Sequence, residues 1–145
     1  MESISVIMGV LMMGFALWQL ELVLTPWLIF QTVTSAIAGL CILGGIFTTL
    51  TAFSFWVKGT AALVSPFMYL LELARYPMDV YSQGLRVFLT YLVPIGFVGF
   101  YAAAVVLQAI PDYFYFLTLL WGGGLLYVGY LFWNIGLRRY ESAGN

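Results

Sequence analysis

The sequence predicts an all-α integral membrane protein with about four transmembrane helices, on three observations. Apolar residues make up 63% of the chain and charged residues 8%, with a mean hydropathy of +1.02, more apolar surface than a soluble core of this size can shelter. Four apolar stretches, 4–20, 27–56, 85–110 and 113–137, approach or exceed the roughly 20 residues that cross about 30 Å of hydrocarbon. Those spans leave Lys58, Arg75, Arg86, Arg138 and Arg139 on one side and no basic residue on the other. Basic loops stay in the cytoplasm, so both termini are expected there and the chain reads as a single transmembrane domain.

The first span, 4–20, is short and ends at Gln19 and Glu21, with Trp18 and Trp27 placed as interfacial anchors. It lacks the basic start and small-residue cleavage site of a signal peptide. The second, 27–56, exceeds a perpendicular crossing and is expected to tilt. It carries small and hydroxyl residues four apart: Thr34 with Ala38, Ser35 with Gly39, Gly44 with Thr48 and Gly45 with Thr49. Such pairs let another backbone approach closely, inside the chain or across a subunit seam, and the first is the commoner use.

The stretch 58–84 is the most polar of the interior and is expected on the cytoplasmic side. Ser65 reads as an N-cap with Pro66 at the first helical position. Phe67, Leu70, Leu71 and Ala74 then share one face, Glu72 and Arg75 another, and Pro77 ends the helix. This gives an amphipathic helix that lies on the headgroup boundary, docks a soluble partner, or is simply solvated. Arg75 can pair locally with Glu72, or with Asp79 across the turn at Pro77.

The third stretch, 85–110, contains Pro94, Gly96 and Gly99, which predict a broken or bent helix; the fourth, 113–137, contains Gly122, Gly123 and Gly124, so both are expected to be weak as continuous helices. The connector Ile110, Pro111 and Asp112 is very short. Two straight spans and two spans flanking a re-entrant hairpin both fit this pattern, since irregular backbone at membrane depth is tolerated where protein or a water-lined cavity satisfies it.

Catalytic, metal and cofactor sites are not expected. The chain has no His, and its single Cys41 sits in an apolar stretch as a packing residue. No Gly-rich loop ending in Lys and Ser or Thr is present to hold a nucleotide. A net charge of −1 without a basic run argues against nucleic acid.

Several segments resemble the permease subunits of ABC-2 type transporters, and specifically a bacterial group of uncharacterised ABC-type permease components. They are Phe55-Trp56, Ala74-Arg75-Tyr76-Pro77-Met78-Asp79-Val80-Tyr81, Leu85-Arg86 with Leu89-Thr90, Val93-Pro94-Ile95-Gly96-Phe97-Val98, and the tail from Leu137-Arg138-Arg139-Tyr140 to Gly144. The Arg-Tyr-Pro segment and the Arg-Arg-Tyr tail are the most specific of these. The resemblance implies a non-catalytic subunit in a bacterial cell membrane, working in export beside a separate ATP-binding subunit and a second permease copy or paralogue. It places this chain on the last four of six spans, without the early coupling segment. It also departs from the family at Tyr101-Ala102-Ala103, where Tyr-Pro-Ala is usual. With that segment missing, Glu72, Arg75, Tyr76, Pro77 and Asp79 become the candidate contact for the ATPase subunit.

Two other readings compete. A small four-span ion-coupled transporter needs an intramembrane ionisable group, for which Glu21 is the one candidate. A membrane assembly or interaction protein without transport activity needs none.

Overall fold

Thr25 and Pro26 start the longest apolar helix. The Thr25 hydroxyl accepts from the Leu28 N–H at 3.1 Å, and Pro26 occupies the first turn, where a missing donor costs nothing. In the computed structural model, which describes residues 2–19, 25–57, 61–107 and 109–139, the chain is all helical. Its α-helices are α1 (Glu2–Gln19), α2 (Pro26–Ala52), α3 (Ala61–Leu73), α4 (Gln83–Val87), α5 (Phe100–Val106) and α6 (Tyr113–Arg139). Helix α2 continues as a 3₁₀ turn to Phe55. Glu21, Lys58 and the tail residues 140–144 lie outside the described residues.

Among the described residues, two helices are long and apolar enough to cross a membrane, Pro26–Phe55 and Tyr113–Arg138. They form the largest interface in the molecule. Trp27 meets Tyr115, Gly122 lies on Ala38, Gly129 on Gly45, Phe53 meets Phe132 and Phe55 meets Trp133. The partner number rises with the residue number throughout, so α2 and α6 run parallel. Aromatic rings gather at both ends of the pair, Trp27 with Tyr115 at one and Phe55, Trp56 and Trp133 at the other. Those positions suit the two interfaces of a bilayer.

Small residues set the spacing of this pair. A Cβ on Gly45 would lie 2.5 Å from Leu125 O, one on Gly122 2.9 Å from Ala38 O, and one on Gly129 2.8 Å from Gly45 O. The small residues of α2 are therefore used within the chain. Gly122, Gly123 and Gly124 do not weaken α6, which is continuous over 27 residues. Gly122 admits α2, while Gly123 and Gly124 face open space.

A parallel pair requires the intervening chain to return to its starting end. Helix α3 begins that return: Phe67 packs edge-on to Phe47, and Ala74 O lies 3.9 Å from where a Cβ of Gly99 would sit. At 13 residues, α3 rises only about 20 Å, about half the length of α2. The expected cap at Ser65 is not formed, since the helix is already under way at Ala61 and Pro66 lies inside it. Proline there removes one backbone bond, which membrane helices tolerate.

The stretch 85–110 is not a single helix. After α4 the chain forms a π-helical turn, Phe88–Leu92, in which Val93 N–H donates to Phe88 O at 2.9 Å. A 3₁₀ turn, Ile95–Phe97, and the short α5 follow. Buried Pro94, Ile95, Gly96 and Phe97 insert against α2, where Gly39 faces Val98 O at 3.1 Å from its notional Cβ. Ile42, Phe67, Met78, Leu89, Ile95, Phe97 and Tyr101 form the core of this half of the molecule.

Candidate functional site: the folded-back unit 74–110

Polar side chains outside the α2–α6 pair concentrate in the unit 74–110. Pro94 has ψ of 46°, and Gly99 has φ of −135° and ψ of −64°, neither of which continues an α-helix. Gly96 is required by contact: a Cβ there would meet the Tyr101 ring at 2.9 Å. With these three residues at the reversals, α5 folds back beside the π-helical turn. Tyr101 then stacks on Phe114 at 4.9 Å between ring centres, and its hydroxyl reaches Thr90 Oγ1 at 2.8 Å.

The direction of that bond follows from counting protons. Thr90 Oγ1 donates its only hydrogen to Arg86 O at 2.7 Å, so the Tyr101 hydroxyl is the donor to Thr90. Both side chains are buried, Thr90 to 2% and Tyr101 to 3% exposure. This bond ties the two arms of the unit in a place where an unmade one would be costly.

Two ion pairs flank the tie. Arg75 Nε lies 3.2 Å from Glu72, three residues earlier, and both side chains are largely exposed. Asp79 is bound to Arg86, Oδ1 to Nη1 at 2.9 Å, rather than to Arg75. Exposed pairs of this kind contribute about 1 kcal/mol or less each.

Of the five residues expected to face the ATPase, Arg75, Tyr76, Pro77 and Asp79 line one crevice of about 520 Å³ together with Gly99, Phe100 and Ile110. Ile110 is two residues from Asp112, which the sequence puts on the opposite face of the membrane. The lips of one crevice cannot be separated by about 30 Å of hydrocarbon. The stretch 74–79 therefore lies beside Ile110, near the start of α6.

A second crevice, about 510 Å³, opens on the other side of the Tyr101–Thr90 tie and is lined by Gln83, Arg86, Thr90, Tyr91, Tyr101 and Phe114 among others. Sequence reasoning did not find it. Its residues come from three separated segments, and only Tyr81, Arg86, Thr90 and Tyr101 stood out, through the resemblance and its one departure. Among the described residues, no group of three or more His, Cys, Asp or Glu side chains is placed to hold a metal.

A protein-family model described as "ABC-2 family transporter protein" matches residues 2–144. No curated protein and no solved structure matches the chain.

Proposed function

Because the chain belongs to the ABC-2 family of transporter proteins, a multi-pass membrane family whose permeases take a transport rather than a catalytic part, we propose that it is the permease component of an ATP-driven exporter. The parallel α2–α6 pair forms a rigid wall, and the unit 74–110 closes the path at one membrane face. The observation that carries this reading is the return of 74–110 to the Tyr113 end. It gives a two-helix wall with an irregular, partly polar plug, backbone that is stable at membrane depth only inside protein or beside water.

Helices α1, α2 and α6, with a return made jointly by α3 and the unit 74–110, give four passes with both termini in the cytoplasm and Asp112 at the outer face. Lys58, beside Val57 in sequence, and Arg138 and Arg139 then stay inside, whereas Arg75 and Arg86 lie outside, each paired with an acid. In a Cys41→Ser background, cysteines at Ser82 and Asp112 should both react with an impermeant thiol reagent in intact cells. A cysteine at Ser54 should react only after permeabilisation. Opposite behaviour of Ser82 and Asp112 would restore 85–110 as a crossing.

The separate ATPase subunit and a second permease subunit complete the transporter in this reading, with the ATPase at the end bearing Trp56 and Arg138. Reconstituted with an ATP-binding subunit that copurifies with the intact chain, the double variant Lys58→Glu, Arg138→Glu should lose most of the ATP hydrolysis that the permease stimulates. Reversing Arg75 and Asp79 together should leave that stimulation unchanged. The reading fails if no ATP-binding subunit copurifies with the intact chain and is stimulated by it. Loss from the Arg75 and Asp79 reversal alone would return the docking role to those residues.

A further inference from the structure

The 510 Å³ crevice beside Arg86 has an unusual inventory of free donors. Tyr101 gives its one hydroxyl hydrogen to Thr90, Thr90 gives its own to Arg86 O, and Tyr81 gives its own to Leu73 O at 2.8 Å. Those three therefore line the space without a proton to offer. The Gln83 amide and the Tyr91 hydroxyl have no partner among the described residues. The Arg86 guanidinium is held by a single oxygen of Asp79 and faces the Tyr101 hydroxyl, which leaves most of its five donors unengaged. Asp79 binds it from outside the crevice, and no carboxylate lines the space among the described residues. The opposite wall is aromatic, formed by Phe114 and the Tyr101 ring stacked on it.

Three donors of which one is cationic, no lining carboxylate and an aromatic wall are complementary to an anion on an apolar body. We propose that this crevice binds the oxyanion of an amphiphile, a phosphate or carboxylate head whose apolar part lies on Tyr101 and Phe114. The head sits on Arg86, with Gln83 and Tyr91 donating to its remaining oxygens. Asp79 competes with the ligand for the guanidinium and sets how readily it is captured. The assignment deepens the permease reading by naming the chemical class met at the outer end of the path. Its test needs no ATPase, so it can fail independently.

The test is binding to the full chain in neutral detergent, followed by tryptophan and tyrosine fluorescence, with dihexanoyl phosphatidic acid as probe. Dihexanoylglycerol, the same body without the anion, should bind at least about tenfold more weakly, because charge-assisted hydrogen bonds are lost. Inorganic phosphate should also bind at least about tenfold more weakly, because the aromatic wall is unused. Arg86→Gln should weaken the probe about tenfold or more, and Asp79→Asn should tighten it. Since Arg86→Gln also breaks the Asp79 pair, the double variant Gln83→Leu, Tyr91→Phe gives a second measure, with a loss of about fivefold expected for two neutral donors. Equal binding of dihexanoylglycerol, or of inorganic phosphate, overturns the proposal. So does unchanged affinity in a folded Arg86→Gln protein or in the Gln83, Tyr91 double variant.

Discussion

Gly45→Val is expected to destabilise the folded protein strongly. A Cβ at Gly45 lies 2.5 Å from Leu125 O and 2.6 Å from Leu126 N, both main-chain atoms of α6. Neither can rotate away, so one methyl already forces the two helices apart by about 1 Å, and an isopropyl group forces more. Overpacking a well-fitted contact costs roughly 1–3 kcal/mol and occasionally more, and the backbone obstruction puts this case at the upper end. Lipid does not replace the loss. Helix association in a bilayer rests on close packing and not on expulsion of water, so separating the pair removes the attraction itself. Thermal aggregation of the purified protein in detergent is the measurement. Gly44→Val and Gly124→Val are the controls, since a Cβ at Gly44 meets only Leu126 Cδ1 at 3.8 Å and one at Gly124 meets nothing. Similar melting of the Gly45 variant and these controls would show that the pair is looser than its contacts indicate.

Phe97→Ala is expected to detach the unit 74–110 while sparing the α2–α6 pair. Phe97 is fully buried, with its ring 4.9 Å from Tyr101 and 6.3 Å from Phe114. Truncating a buried Phe costs about 3–5 kcal/mol through lost contacts and the cavity left behind. The loss falls on a short irregular segment whose longest helix is the seven-residue α5, so local opening is the cheapest response. Limited proteolysis should therefore cut between Ser82 and Asp112 in the variant and leave fragments containing intact α2 and α6. If the seam glycines hold the pair on their own, the transition that separates α2 from α6 stays near its original temperature. Simultaneous loss of both would show that the unit is part of the wall.

The long helices were legible because length and apolar composition alone decide them. Cap signals were legible only in part. Thr25-Pro26 caps α2 but was not read as a cap, whereas Ser65-Pro66 was read as one and lies inside α3, because an apolar run before Ser65 carries that helix past it. The irregular unit was readable only in part. Pro94, Gly96 and Gly99 signal a departure from regular helix, yet nothing local says whether the chain then continues or reverses. That is decided by contacts distant in sequence, Gly39 with Val98, Tyr101 with Phe114 and the crevice joining Arg75 to Ile110. The same gap hid the Arg86 crevice. Gly122 and Gly45 were likewise visible as small residues, while their partners were not.

The direction of α6 relative to α2 bears on how the molecule is made. Neighbouring antiparallel helices can enter a bilayer together as a hairpin, but two parallel ones cannot. When α2 leaves the ribosome, its notch at Gly45 has no occupant, because Leu125 and Gly129 are still to be synthesised. Until then the groove faces lipid or an insertion factor, and α3 and the unit 74–110 must be threaded before it can close. The groove on α2 therefore stays open until α6 has been made, and a pause in translation between the two helices would leave it uncovered.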